Sequence, residues 1–96
     1  MYATFTMINL GPGMRQEAEK IANQFAPVNR SLKGFIRYNY FGDVETGDYG
    51  SLILYESKED AENALATIGP EMKKTAGDIV KGEPIRRVFE IYEPTS

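Results

Sequence analysis

The chain has no cysteine, no histidine and no tryptophan in its 96 residues. Without cysteine there is no disulfide framework, thiolate nucleophile or thiolate metal site. Without histidine, the commonest general base and the commonest transition-metal ligand are both missing. An excess of positive charge is missing too: 11 Lys and Arg face 14 Asp and Glu, a net charge of −3. An acidic chain gains little from counterion release or from attraction to an anionic surface, so neither nucleic acid nor membrane is expected as a partner. No apolar run suits a membrane span and no signal-peptide pattern is seen, so a cytoplasmic location is expected. Gly11-Pro12-Gly13 lacks the further glycine and the Lys-Ser/Thr of a phosphate loop.

What is present reads as one globular domain over residues 1–96, with a modest core that oligomerisation would help to stabilise. Tyr2–Leu10 is the first expected strand. A Gly-Pro-Gly turn then leads into a helix over Met14–Ala26, with Met14, Ala18, Ile21, Ala22 and Phe25 as its apolar stripe and Pro27 as its end. Gly34–Phe41 is the second strand, with Phe35, Arg37, Asn39 and Phe41 on one side and Ile36, Tyr38 and Tyr40 on the other. After a polar hairpin loop, Gly50–Tyr55 is a buried strand running into a helix capped by Ser57. Ala61, Ala64, Leu65 and Ile68 face its core side, and Gly69-Pro70 is the expected stop. A short helix from Pro70 to Ile79 and a last strand over Ile85–Tyr92 complete the chain.

The order is β-α-β-β-α-β, the α+β ferredoxin-like pattern with an antiparallel four-stranded sheet and the first and third strands in its middle. Two helices cover one face of such a sheet. The strands carry too many large apolar side chains on both faces for one side to be solvated: Phe5, Met7, Phe35, Ile36, Leu52, Ile53, Leu54, Val88, Phe89 and Ile91. A homodimer packed sheet to sheet, a dimeric α+β barrel, is the expected solution.

These residues carry a family likeness. Pro12-Gly13 follows the first strand, Leu32-Lys33-Gly34-Phe35 enters the second, and Leu54-Tyr55-Glu56-Ser57-Lys58-Glu59-Asp60-Ala61 spans the strand–helix junction, with Pro70 and Met72 beyond. The chain thereby resembles the antibiotic biosynthesis monooxygenase-like family of dimeric α+β barrels, over nearly its whole length. The resemblance implies a ligand site between helices and sheet, and cofactor-free oxygenation of phenols and quinols or haem degradation as the activities to weigh. In the oxygenase branch a Trp precedes the Glu-Ser pair, where this chain has Tyr55. An Asn, a Tyr and an Arg of that branch fall on Ser51, Ala61 and the neighbourhood of Lys74. The haem-degrading branch needs an Asn where Thr6 stands, a Trp where Ala64 stands, and a His that the chain lacks; haem degradation is not expected.

Ser51 and Tyr55 share a strand face with Ile53 between them. They read either as a polar pair orienting an aromatic oxygen in an apolar pocket or, for Tyr55, as an aromatic packed under a helix with its hydroxyl satisfied at the edge. Lys74 is a candidate cation for stabilising a phenolate, or a solvated surface lysine. Thr6, Ile53, Tyr38 and Met72 are the candidate pocket walls; Tyr38 and Tyr40 share a face and read either as lining a ligand cleft or as packing at the dimer interface. Arg37, Arg86 and Arg87 are strand cations, each able to point into a cavity or to pair with Glu56 or Glu90. Lys33–Tyr40 begins and ends like an RNA-binding octamer, but Ile36 and Arg37 break the pattern and it falls on the wrong strand. The expected activity is a cofactor-independent monooxygenase of a small aromatic or quinol-like compound, needing no metal. The alternative is a non-catalytic ligand-binding or stress-response homodimer.

Overall fold

The computed structural model describes residues 1–95. The elements are β1 (Tyr2–Asn9), α1 (Arg15–Ser31), β2 (Phe35–Asp43), β3 (Asp48–Tyr55), α2 (Lys58–Ala76) and β4 (Lys81–Glu90). They form one antiparallel four-stranded sheet in the order β2-β3-β1-β4, so β1 and β3 take the centre as the ferredoxin-like order requires. Both helices lie on one face. On that face Tyr2, Thr4, Thr6 and Ile8 of β1 stand opposite Tyr55, Ile53, Ser51 and Tyr49 of β3.

Two prolines expected to end helices lie inside them. Pro27 is within α1 and Pro70 within α2. A proline removes the hydrogen bond to the carbonyl four residues back, here those of Asn23 and Ala66. Both prolines and both of those residues are exposed, so water can take over the freed carbonyls. Tertiary contacts hold the turns beyond. Asn29 is 3% exposed and bonded at the end of α1, and Ala76 is 1% exposed at the end of α2. The segment after Pro70 is thus the second half of α2, not a separate helix. Ser57 does cap α2, accepting from the Asp60 backbone N–H at 3.0 Å.

A register shift between Phe35 and Arg37 corrects the faces of β2. The bulge inserts Ile36, so Phe35 turns to the helix side with Tyr38 and Tyr40, where its ring meets Tyr55 and Tyr38. β4 starts four residues earlier than expected, at Lys81. It carries Pro84 on the sheet edge, where a missing N–H is tolerated, beside a second register shift.

The helix-facing core has two parts. Ile53, Tyr55, Ala61 and Ala64 form one under the start of α2. Ile8, Leu10 and Tyr49 form the other, packed by Met14 just before α1 and by Ala18 and Ile21 of α1. The far face of the sheet carries no helix. There Phe5 sits centrally, with Phe41 stacked at 5.9 Å and Phe89 edge-on at 6.3 Å. Phe41, Ile85 and Phe89 on this face are 41%, 41% and 38% exposed. No helix in the described residues is long and apolar enough to cross a membrane.

Candidate functional site

A cavity of about 230 Å³ opens between α1 and the helix-facing side of the sheet. Its floor is Thr6 and Ile8 of β1 with Tyr49 and Ser51 of β3. Ala18, Ile21 and Ala22 of α1 form the roof, and Met72 of α2 and Tyr40 of β2 close two sides. The small side chains of Ala18, Ala22 and Ser51 leave this volume open; at the other end of the sheet, Tyr55 and Phe35 fill the equivalent space. Arg15 and Glu19 also line the cavity and pair with each other at 3.0 Å on the exposed surface of α1.

Besides Arg15 and Glu19, the polar side chains of the lining carry hydroxyls. One, Tyr40 Oη, belongs to a network centred on Asn29. The Asn29 Nδ2 donates to the Phe25 carbonyl at 3.1 Å and to Tyr40 Oη at 3.2 Å. Because a carbonyl only accepts, the contact with Phe25 fixes the orientation of the amide. Asn29 Oδ1 then accepts from the Tyr55 hydroxyl at 3.3 Å. The Tyr40 oxygen is engaged as an acceptor, so its own proton remains available as a donor. Burial raises the Tyr40 pKa, an effect only partly opposed by the Asn29 bond, so the group stays a neutral donor. Burial, with Tyr40 nearby as a lesser cause, pushes Tyr55 up to about 12. Tyr49 is 9% exposed, and its buried hydroxyl has no hydrogen-bond partner among the described residues. Such a group costs about 1–3 kcal/mol when unpaired.

Of the residues singled out from sequence, Thr6, Ser51 and Met72 line this cavity together. Tyr55 and Ile53 lie in the core beside it, outside its lining, and Tyr55 is fully buried. Four residues along a strand span about 13 Å, so Ser51 and Tyr55, though on one face, belong to different halves of the core. Tyr38 joins the Tyr55 half, accepting from Arg30 Nη1 at 2.7 Å and packing on Phe35. Lys74 is exposed on α2. With α2 unbroken at Pro70, Lys74 is about 200° around the helix from Met72, so one faces the cavity and the other solvent. Among the described residues no three acidic side chains converge as metal ligands do.

Asn29 was missed because the expected helix ended before it; its i, i+4 spacing from Phe25 was the available signal. Tyr49 is held by a packing feature. It stands opposite Gly42 in the β2–β3 register, and its ring occupies the space that a Cβ on Gly42 would take. Gly50 opposite Phe41 repeats the arrangement on the other face of the sheet. Paired Gly–aromatic positions across two strands are the sequence trace of this wall.

The fold defines a class: an α+β ferredoxin-like domain with a largely apolar cavity between its helices and its sheet. It is the fold of structures from the antibiotic biosynthesis monooxygenase family. A Caulobacter crescentus protein provisionally named an antibiotic biosynthesis monooxygenase is similar at 21% identity and a TM-score of 0.75, covering 96% of this chain and 90% of that one. A Nitrosomonas europaea protein with the same provisional name aligns at 12% identity and a TM-score of 0.78, over 99% of this chain and 93% of the other. A Streptomyces coelicolor monooxygenase, the product of ActVA-Orf6, was solved with the ligand nanaomycin D. It aligns at 12% identity and a TM-score of 0.77, over 99% and 90% of the two chains. No family profile and no curated protein sequence matches the chain.

Proposed function

We propose that this chain is a cofactor-independent monooxygenase of a small aromatic or quinol-like compound, acting as a homodimer. The observation that carries the reading is the cavity: largely apolar walls, a volume just under the roughly 300–1,000 Å³ of drug-sized sites, and the hydroxyl-bearing residues Thr6, Tyr40 and Ser51 in its lining. The ligand-bound Streptomyces coelicolor monooxygenase of the same fold supports it.

In this reading the ring lies under Ala18 and Ala22. Tyr40 donates its free proton to the substrate's oxygen, stabilising the anion that must form. Ser51 and Thr6 set the ring's angle. Glu19 at the rim accepts the phenolic proton, with Arg15 beside it. The electron-rich anion reduces dioxygen directly. One oxygen atom bonds to ring carbon, two hydrogens leave the substrate, and the second oxygen atom departs as water; a hydroquinone becomes a hydroxyquinone. Tyr55 acts through Asn29, as a positioning residue for Tyr40. The second copy covers the aromatic face of Phe5, Phe41 and Phe89, which water would otherwise wet.

The test is oxygen uptake by the purified, metal-free protein with naphthols, hydroquinones and anthrones. Uptake well above autoxidation, lost in Tyr40→Phe, is expected. Binding of these compounds without any uptake would move the function to the non-catalytic ligand-binding dimer.

A further inference from the structure

Arg86 is a partly buried cation that forms no ion pair among the described residues. It lies on β4 directly opposite Thr6, on the face that meets the helices. Its guanidinium sits under α2 where that helix has no side chain: a Cβ on Gly69 would lie 3.8 Å from Nη1. Neither Glu56 nor Glu90 pairs with it, since the one ion pair among the described residues is Arg15–Glu19. Drawing a guanidinium partly out of water without an anion is unfavourable, while its planar fork matches a carboxylate in shape and charge.

Arg86 lines a second cavity, of about 290 Å³, between α2 and β4. Its charged residues are Lys73, Arg86 and Glu83, two cations against one carboxylate. Ile8 and Met72 line both this cavity and the apolar one, and Thr6, the strand partner of Arg86, lines the apolar one. A cationic cavity and an apolar cavity therefore meet across two shared side chains.

We infer that the two cavities form one bipartite site for a small organic acid, its ring between α1 and the sheet and its carboxylate on Arg86. The inference rests on the aromatic-binding reading of the apolar cavity and adds the acid group. Lys73 contributes a second, mobile cation, and Glu83 disfavours a second negative charge on the ligand. The site selects monoanionic aromatic carboxylates over neutral rings of the same size.

Calorimetric titration of the full chain with 2-naphthoate and with neutral 2-naphthylmethanol tests this. Naphthoate is expected to bind about tenfold more tightly or better, as a charge-assisted contact allows, with the preference shrinking as salt is added. Arg86→Gln should remove the preference and leave naphthylmethanol within about twofold of its original affinity, while Arg86→Lys, which keeps the charge and guards against a folding defect, should restore part of it. Equal binding of the two ligands, or a naphthoate preference untouched by Arg86→Gln, overturns the role of Arg86 and leaves the apolar pocket standing. Failure of both ligands to bind the unmodified protein overturns the pocket, and this inference with it.

Discussion

Replacing Asn29 with Ala should destabilise the protein in a way that depends on Tyr55. The substitution strands the hydroxyl of Tyr55, a residue with 0% exposure, at a cost of about 1–3 kcal/mol. It also removes the bond to Tyr40, worth about 0.5–1.5 kcal/mol. Alanine's better helix propensity offsets about 0.5–0.7 kcal/mol of this. The net loss is about 2 kcal/mol, which for a domain of this size lowers Tm by about 8–16 °C. Tyr55→Phe alone should cost about 1 kcal/mol, because it leaves Asn29 Oδ1 buried without a donor. In the double variant neither group is stranded, so its loss should fall short of the sum of the singles by about 1 kcal/mol. Urea denaturation of the four proteins measures this. Additivity within about 0.5 kcal/mol would refute the claim that Asn29 joins Tyr55 to Tyr40.

The same burial makes stability fall in alkali. The raised pKa values of Tyr55, about 12, and of Tyr40 mean that the folded protein keeps protons which the unfolded chain releases near the ordinary tyrosine value of 10.0. Stability should therefore be complete below about pH 10 and decline toward pH 12, with two of the tyrosinate absorbance changes arriving late; a decline confined to lower pH would assign it to other groups. Phe5→Asp on the open sheet face should convert a dimer to monomer or aggregate by light scattering, and a well-folded dimer would show that another surface pairs. Gly34 has a φ of +80° and a Cβ there would meet the Asp60 carboxylate, so Gly34→Ala should cost at least about 1–2 kcal/mol; an unchanged denaturation midpoint would show that the loop relaxes freely.

The fold was legible because its signals are local and repeated. The apolar runs of β1 and β3, the Ser57 cap, and the apolar stripes of both helices each point to the same element order. What misled were the two prolines. Each is a strong local stop, yet each helix continues because residues beyond it, Asn29 in one and Met72 and Ala76 in the other, make contacts that no local rule counts. The bulge at Ile36 was equally hidden, since alternation alone cannot show an inserted residue, and it moved Phe35 to the opposite face. Within the site, strand alternation put Thr6 and Ser51 on the right side of the sheet. It could not say that the core divides between Ser51 and Tyr55, because that depends on which helix lies over each end of β3. Tyr49 and Asn29 left only faint traces in the sequence, because their significance lies in a missing partner and in a three-way contact across elements.

The most direct test of the central claim is turnover under isotopically labelled dioxygen by the metal-free protein, compared with an Ala22→Phe variant whose new ring fills the cavity under α1. One labelled oxygen atom per product molecule, with turnover abolished in the filled variant while its fold persists, is the predicted result. Product formed without the label, or labelled product made equally well with the cavity filled, would contradict it.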